Sequence, residues 1–149
     1  MRVAILSTVL FMAVVGCSTA PVGTPAEHVA ICVQDPAAFV TWWTQNLGFK
    51  VTLRRASGSA FIADAGGHVA LEVYGPGKGR RAPDYHRQDI LQLHFGFATA
   101  NMDADVRRLI DAGAVLGCRE SVPGLEGAML RDPQGVPFQL VTREKSILK

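Results

Sequence analysis

The sequence predicts an α+β fold made of two βαβββ modules, with helices outside a curved sheet. Three observations predict it. First, a histidine followed by a residue able to coordinate metal occurs twice, with His28 and Glu72 44 positions apart and His94 and Gln139 45 apart. The halves are offset by 66 residues at the histidines (28 to 94) and by 67 at the partners (72 to 139). Second, each half carries one helical run closed by glycine, Gly48 lying 20 residues after His28 and Gly113 19 after His94. Third, three strand-like runs follow each helix. A duplicated module with a ligand at each end can assemble a four-ligand metal centre where its copies meet.

The first strand is His28 to Val33. Its apolar row is Val29, Ile31 and Val33, which leaves His28, Ala30 and Cys32 on the other face. Asp35 and Pro36 then read as an N-cap and N1 pair, followed by Phe39, Trp42, Trp43 and Leu47 at helical spacing. Trp42 and Trp43 read as helix packing. Strand-like runs follow near Lys50–Arg54, Ser59–Ala63 and Val69–Tyr74. In the last of these Val69, Leu71 and Val73 form the apolar row, with Glu72 opposite beside Ala70 and Tyr74. The second module opens on Leu91 to Phe97, whose apolar row is Leu91, Leu93, Phe95 and Phe97, leaving Gln92, His94 and Gly96 opposite. Its helix has Asn101 as N-cap, Asp103 and Asp105 at the positive end of the dipole, and Met102, Val106, Leu109 and Ile110 as the buried stripe. Runs near Ala114–Arg119, Ala128–Arg131 and Phe138–Thr142 complete the module. There Phe138 and Leu140 face the core, and Gln139 faces away with Val141. Each candidate ligand thus lies opposite an apolar row, with small neighbours (Ala30, Ala70, Gly96) leaving room around it.

The residues in this order resemble one family. His-Val-Ala-Ile-Cys-Val-Gln-Asp-Pro, Trp-Trp-Thr-Gln-Asn-Leu-Gly-Phe, Leu-Glu-Val-Tyr, Leu-His-Phe-Gly-Phe and Arg-Asp-Pro-Gln-Gly-Val-Pro-Phe-Gln-Leu together are similar to the vicinal oxygen chelate superfamily. That group includes glyoxalase I, fosfomycin-resistance proteins, bleomycin-binding proteins, methylmalonyl-CoA epimerase and extradiol dioxygenases. The similarity spans about Glu27 to Arg143. It implies two paired βαβββ modules forming an open mixed β-barrel with helices outside and metal bound within. It also implies His28, Glu72, His94 and Gln139 as metal ligands, with Zn, Ni, Mn, Co or Fe as the candidate divalent ion. Barrels of this type are often completed across a homodimer.

Gln139 departs from the family pattern, which in most metal-using members has Glu there. An amide coordinates through its oxygen but cannot accept a substrate proton at neutral pH. Glu72 is then the carboxylate of the set left to act as base, in an isomerase- or lyase-type reaction where metal stabilises an enolate-like oxyanion. The competing reading is a binder that sequesters a drug or metabolite in the same groove, its two histidines being hydrogen-bonded interior residues. A third is a scaffold whose barrel is a partner surface. Tyr74 is expected either as a ligand contact or as a buried structural phenol. His68 and His86 read as solvent-facing, with His68 a reserve ligand. Asp132-Pro133-Gln134-Gly135 reads as the turn before the last strand.

Met1-Arg2, an apolar run from Val3 to Val15 and then Gly16-Cys17-Ser18 resemble a lipoprotein signal, the run being short of the roughly 20 residues a spanning helix needs. A plain cleaved signal or a tethering helix is the competing reading. Residues 1–16 are then the signal peptide, Cys17 the lipidated residue, and 17–26 a tether. The domain is 27–143, with modules 27–75 and 91–143 and connector 76–90. This address is a bacterial envelope, membrane-anchored on the periplasmic side, and Ser18 resembles outer-membrane sorting signals. A formal net charge of +2, near +1 once Arg2 is removed, gives no case for nucleic acid. Lys78, Arg80, Arg81 and Arg87 form a local basic excess in the connector, read as a solvated hinge able to reach an anionic substrate. Cys32 and Cys118 can form a bridge in an oxidising compartment or stay as reduced buried thiols. The expected partners are therefore a small oxygenated ligand, a membrane through the lipid, and a second copy of the chain.

Overall fold

The computed structural model describes residues 26–145 and 147. The segment expected to be a lipoprotein signal, Cys17 and most of the expected tether lie outside them. Among the described residues no helix is long and apolar enough to cross a membrane.

The first module runs β1 (Val29–Cys32), α1 (Pro36–Asn46), β2 (Lys50–Arg54), β3 (Ala60–Ala63) and β4 (Ala70–Tyr74). The second runs β5 (Phe95–Ala98), α2 (Met102–Asp111), β6 (Val115–Val122), β7 (Leu125–Arg131) and β8 (Pro137–Arg143). Each module forms a four-stranded mixed sheet, β1-β4-β3-β2 and β5-β8-β7-β6. β1 lies parallel to β4 and β5 parallel to β8, while the remaining pairs are antiparallel. The sheets stay open, each ending on its own edge strand. The βαβββ duplication and the α+β class stand as read from the sequence.

Both helices begin where their caps place them. The Asp35 carboxylate accepts from Ala38 N at 3.0 Å, with Pro36 at the first helical position, and Asn101 Oδ1 accepts from Ala104 N at 3.1 Å. Gly48 and Gly113 follow the helix ends with φ of 72° and 95°, a conformation that costs a side-chain-bearing residue energy. α1 buries Phe39, Val40 and Trp43; α2 buries Met102, Val106 and Leu109.

The two modules share one aromatic centre. Trp43 stacks on Phe39 and meets Phe49, Phe95 and Phe97 edge-on at 5.2, 5.3 and 5.8 Å. Phe39 and Phe49 belong to the first module, Phe95 and Phe97 to the second. The Trp43 indole donates to Asp132 Oδ2 and the Trp42 indole to Ala112 O, each at 2.8 Å. Gln134 exchanges two hydrogen bonds with the backbone of Asp35. The connector is pinned as well: Tyr85 donates to Cys32 O, and the Arg131 guanidinium donates to the carbonyls of Tyr85, Gln88 and Gly135. Lys78, Arg80, Arg81 and Arg87 are exposed.

Four expectations need correction. The strand expected over Leu91–Phe97 begins only at Phe95, and Leu91 and Leu93 are 63% and 72% exposed instead of core-facing. The cause is a turn at Asp89, whose carboxylate accepts from Leu91 N and whose carbonyl accepts from Gln92 N. Val29, at the start of β1, and Ile110, at the rim of the α2 stripe, are also exposed instead of buried. Cys32 and Cys118 are both free; Cys118 is an exposed thiol, not a buried one.

Candidate ligand and metal site

The first module places His28 one residue before β1. Parallel pairing sets Ala30 opposite Glu72. Leu71 and Val73, on either side of Glu72, are fully buried in the α1 cluster, so Glu72 projects from the face free of helices. There His28 Nε2 lies 3.5 Å from Glu72 Oε2. Antiparallel pairing brings Phe61 against Glu72, and the ring meets the His28 imidazole edge-on at 5.3 Å. The Arg55 guanidinium stands 4.8 Å above the same ring and donates from Nη1 to Glu72 Oε1 at 3.0 Å. Glu27 Oε2 is 2.7 Å from His28 Nδ1. Tyr74, two residues beyond Glu72, is 39% exposed, so its phenol is not the buried structural group of the competing reading.

The second module repeats the arrangement. His94 lies one residue before β5, and pairing sets Gly96 opposite Gln139 as Ala30 stands opposite Glu72. Phe138 and Leu140 are buried and Gln139 projects from the other face. His94 Nδ1 is buried and has no hydrogen-bond partner among the described residues, a costly state for a ring nitrogen unless something else occupies it. Gly127 has a special place here. A Cβ on it would lie 3.1 Å from Gln139 Nε2 and 3.3 Å from Glu120 Cγ, so glycine leaves room here for both side chains. A cavity of about 350 Å³ continues along this face, floored by Gly96, Ala98 and Val141 and rimmed by Arg143 and Ile147.

Two donors of a tetrahedral ion, each about 2.1 Å from it, sit roughly 3.4 Å apart. The His28–Glu72 separation of 3.5 Å matches that value. The full set does not fit a metal within one chain. Among the described residues no three His, Cys, Asp or Glu side chains come together, so His28, Glu72 and His94 do not share one centre. Glu72 Oε1 is, moreover, already taken by Arg55. The candidate donors thus lie in two pairs with matching strand registers, of which His28–Glu72 is in contact.

Other candidates resolve more simply. His68 is exposed and 4.0 Å from Asp64, which leaves the reserve ligand far from use as one. Burial pushes the Asp64 carboxyl up, but hydrogen bonds from Val69 N and Gly66 N outweigh it and hold the group below its ordinary value. Asp132 is the buried hub of the turn, accepting from Trp43, Gln134 N and Val136 N. Burial pushes its carboxyl up, against those donors. Arg55 and Glu120 are the site residues that sequence reasoning missed. Arg55 reaches over from the β2–β3 turn and Glu120 stands on β6, and the only signal available was their charge in a run facing away from the core.

The sequence profile of the glyoxalase-like domain matches residues 28–141, nearly all of the described chain. This chain belongs to the glyoxalase-like domain family. Solved structures share its fold at low identity. A glyoxalase family protein from Bacillus cereus is 16% identical, with a TM-score of 0.67 over 79% of this chain and 93% of that one. A fosfomycin resistance protein from Listeria monocytogenes, an E126Q mutant with Mn(II) and 1S,2S-dihydroxypropylphosphonic acid, is 14% identical, with a TM-score of 0.64 over 83% and 92%. An antibiotic binding protein from a Streptomyces species is 20% identical, with a TM-score of 0.60 over 82% and 100%. No curated protein matches the chain at a significant level. One fold is thus shared by proteins described as a glyoxalase family protein, a fosfomycin resistance protein and an antibiotic binding protein, so fold alone does not assign a function and the site residues must.

Proposed function

We propose that this glyoxalase-like protein binds a small oxygenated molecule on the helix-free face and sequesters it without turnover. One observation carries the reading: Glu72, the only carboxylate among the four candidate donors, is neutralised by Arg55 at 3.0 Å. A proton acceptor must have a free lone pair within reach of the substrate. Here Arg55 donates to Oε1 and balances the carboxylate charge, His28 Nε2 stands 3.5 Å from Oε2, and both compete with a substrate for it; the fourth donor, Gln139, is an amide. Phe61, Tyr74 and the Arg55 guanidinium supply what a binder uses, an apolar shelf with a few fixed polar groups. The antibiotic-binding Streptomyces structure has the same fold, which is consistent with this use.

A second reading is favoured by the 3.5 Å His28–Glu72 pair and the orphaned His94 Nδ1. In it a divalent metal (Zn, Ni, Mn, Co or Fe) is held by His28 and Glu72 of one copy with His94 and Gln139 of another, and Glu72 serves lyase- or isomerase-type proton transfer. A homodimer suits that arrangement, because β2 and β6 are edge strands exposed along their whole length. In both readings the protein is carried on the bacterial envelope by a lipid on Cys17; acyl labelling of the wild type, lost in Cys17→Ser, tests this.

Metal content and calorimetry separate the two. Sequestration predicts a metal-free full chain that binds bleomycin or fosfomycin, with weaker binding in Tyr74→Ala and Arg55→Ala. Stoichiometric metal, lost in His94→Ala, together with no ligand binding after chelation, would transfer the case to the second reading.

A further inference from the structure

The His28–Glu72 pair has the spacing of two metal donors, yet a guanidinium stands where the charge of a metal would be needed. We propose that Arg55 is the resident cation of this site and excludes divalent metal from the pair. The inference goes beyond ligand sequestration and rests only on the reading of the helix-free face as the site.

The geometry makes Arg55 both well placed and removable. Its backbone is fixed in the β2–β3 turn, where Arg55 N donates to Ser59 O and Gly58 N donates to Arg55 O, at 2.9 and 3.0 Å. Phe61 supports the guanidinium from below at 4.8 Å. The side chain is nonetheless 52% exposed, so it can swing into solvent without disturbing the core. A divalent ion bound to Glu72 Oε2 would sit within about 5 Å of the guanidinium while the pair is made, close enough for strong like-charge repulsion in partly buried surroundings. Metal entry must therefore break the Arg55–Glu72 bond first. Glu27, on the far nitrogen of His28, is 87% exposed and does not compete for Glu72.

This assigns Arg55 a specificity role. With the guanidinium in place, the carboxylate is structured and neutralised, and the site presents hydrogen-bonding groups to an organic ligand. Without it, the same two donors and an unbalanced charge are left for a cation. Charge and not shape sets the preference, so lysine at this position should act like arginine wherever its ammonium reaches Glu72.

The test is titration of the full chain with Ni²⁺, by calorimetry, for the wild type, Arg55→Gln, Arg55→Lys and the double variant Arg55→Gln/His28→Ala. Circular dichroism confirms folding in each. The expected result is weak binding by the wild type and the lysine variant, and binding about tenfold or more tighter in Arg55→Gln. That gain should disappear in the double variant. Tight wild-type binding that changes less than twofold in Arg55→Gln would overturn the exclusion while leaving the metal reading intact. No gain in Arg55→Gln would show that the pair is not a metal site even when unlatched; ligand binding by the metal-free chain is a separate measurement and would be unaffected.

Discussion

At the scale of single residues, the fold depends on polar groups far from the ligand face. Asp132 is 1% exposed and accepts from the Trp43 indole, Gln134 N and Val136 N. Asp132→Ala leaves three donors without acceptors in a dry setting, each costing about 1–3 kcal/mol, so a loss of roughly 3 kcal/mol or more is expected in urea unfolding. A loss below about 1 kcal/mol would mean that water replaces the carboxylate. Asp105 gives a pH signature instead. The Thr99 hydroxyl first, and the Arg108 guanidinium second, hold its carboxyl below the ordinary aspartate value against partial burial. A folded-state value below the unfolded one adds stability above the ordinary carboxylate range, and that stability fades as pH falls through the depressed value. Thr99→Val removes the largest cause. The variant should lose about 1 kcal/mol at pH 7 and distinctly less at pH 3, by denaturant midpoints. Equal losses at both would assign the effect to packing. At this scale His28, Glu72, His94 and Gln139 could be picked out as candidates because duplication repeats them in sequence, and the structure brings His28 and Glu72 together. Arg55 and Glu120 were not, because what matters about them is their reach to residues on other strands.

At the scale of elements, the duplication extends to the irregularities. β2 shifts register between Val51 and Leu53, and β6 shifts between Leu116 and Cys118, the same place in each module. A bulge bends its strand and increases its twist. Both sheets are thus bent at matching points, and no apolar alternation in the sequence shows it. This also explains why neighbours across β2 and β6 could not be listed in advance, since a bulge breaks simple counting by twos. Signals carried by one or two residues read better. Lys50–Arg54 was read with its observed limits, and all four helix-end residues Asp35, Gly48, Asn101 and Gly113 do what their chemistry suggests. The second module's first strand was read too long because the Asp89 turn leaves the apolar alternation of Leu91 and Leu93 intact while breaking the strand. The caps can be measured. Asn101→Ala is expected to lower stability by about 1 kcal/mol and Asn101→Gly by a few tenths, because glycine still suits the cap backbone. Equal costs for the two variants would place the effect of Asn101 outside its bond to Ala104 N.

At the scale of the whole molecule, the question is whether the two modules unfold as one body. Their sheets are separate, so coupling passes through α1, the turn before β8, the Phe49–Phe97 contact and the pinned connector. The aromatic centre is the obvious carrier. Trp43 has no exposed surface and touches Phe39 and Phe49 in its own module as well as Phe95, Phe97 and Phe138 in the other. Trp42 and Leu47 pack against both apolar clusters. Truncating a buried Trp commonly costs about 3–5 kcal/mol, and here that cost should fall on both modules at once. Trp43→Ala is therefore expected to unfold in a single transition shifted to much lower denaturant, with circular dichroism and Trp42 fluorescence giving the same midpoint. Trp43→Phe, which keeps the ring contacts but leaves Asp132 without its indole donor, should fall between the two. If Trp43→Ala instead showed two separate transitions, the modules would be independent bodies joined by a linker. The relative placement of the His28–Glu72 and His94–Gln139 pairs would then be set by association with a second copy and not by this core.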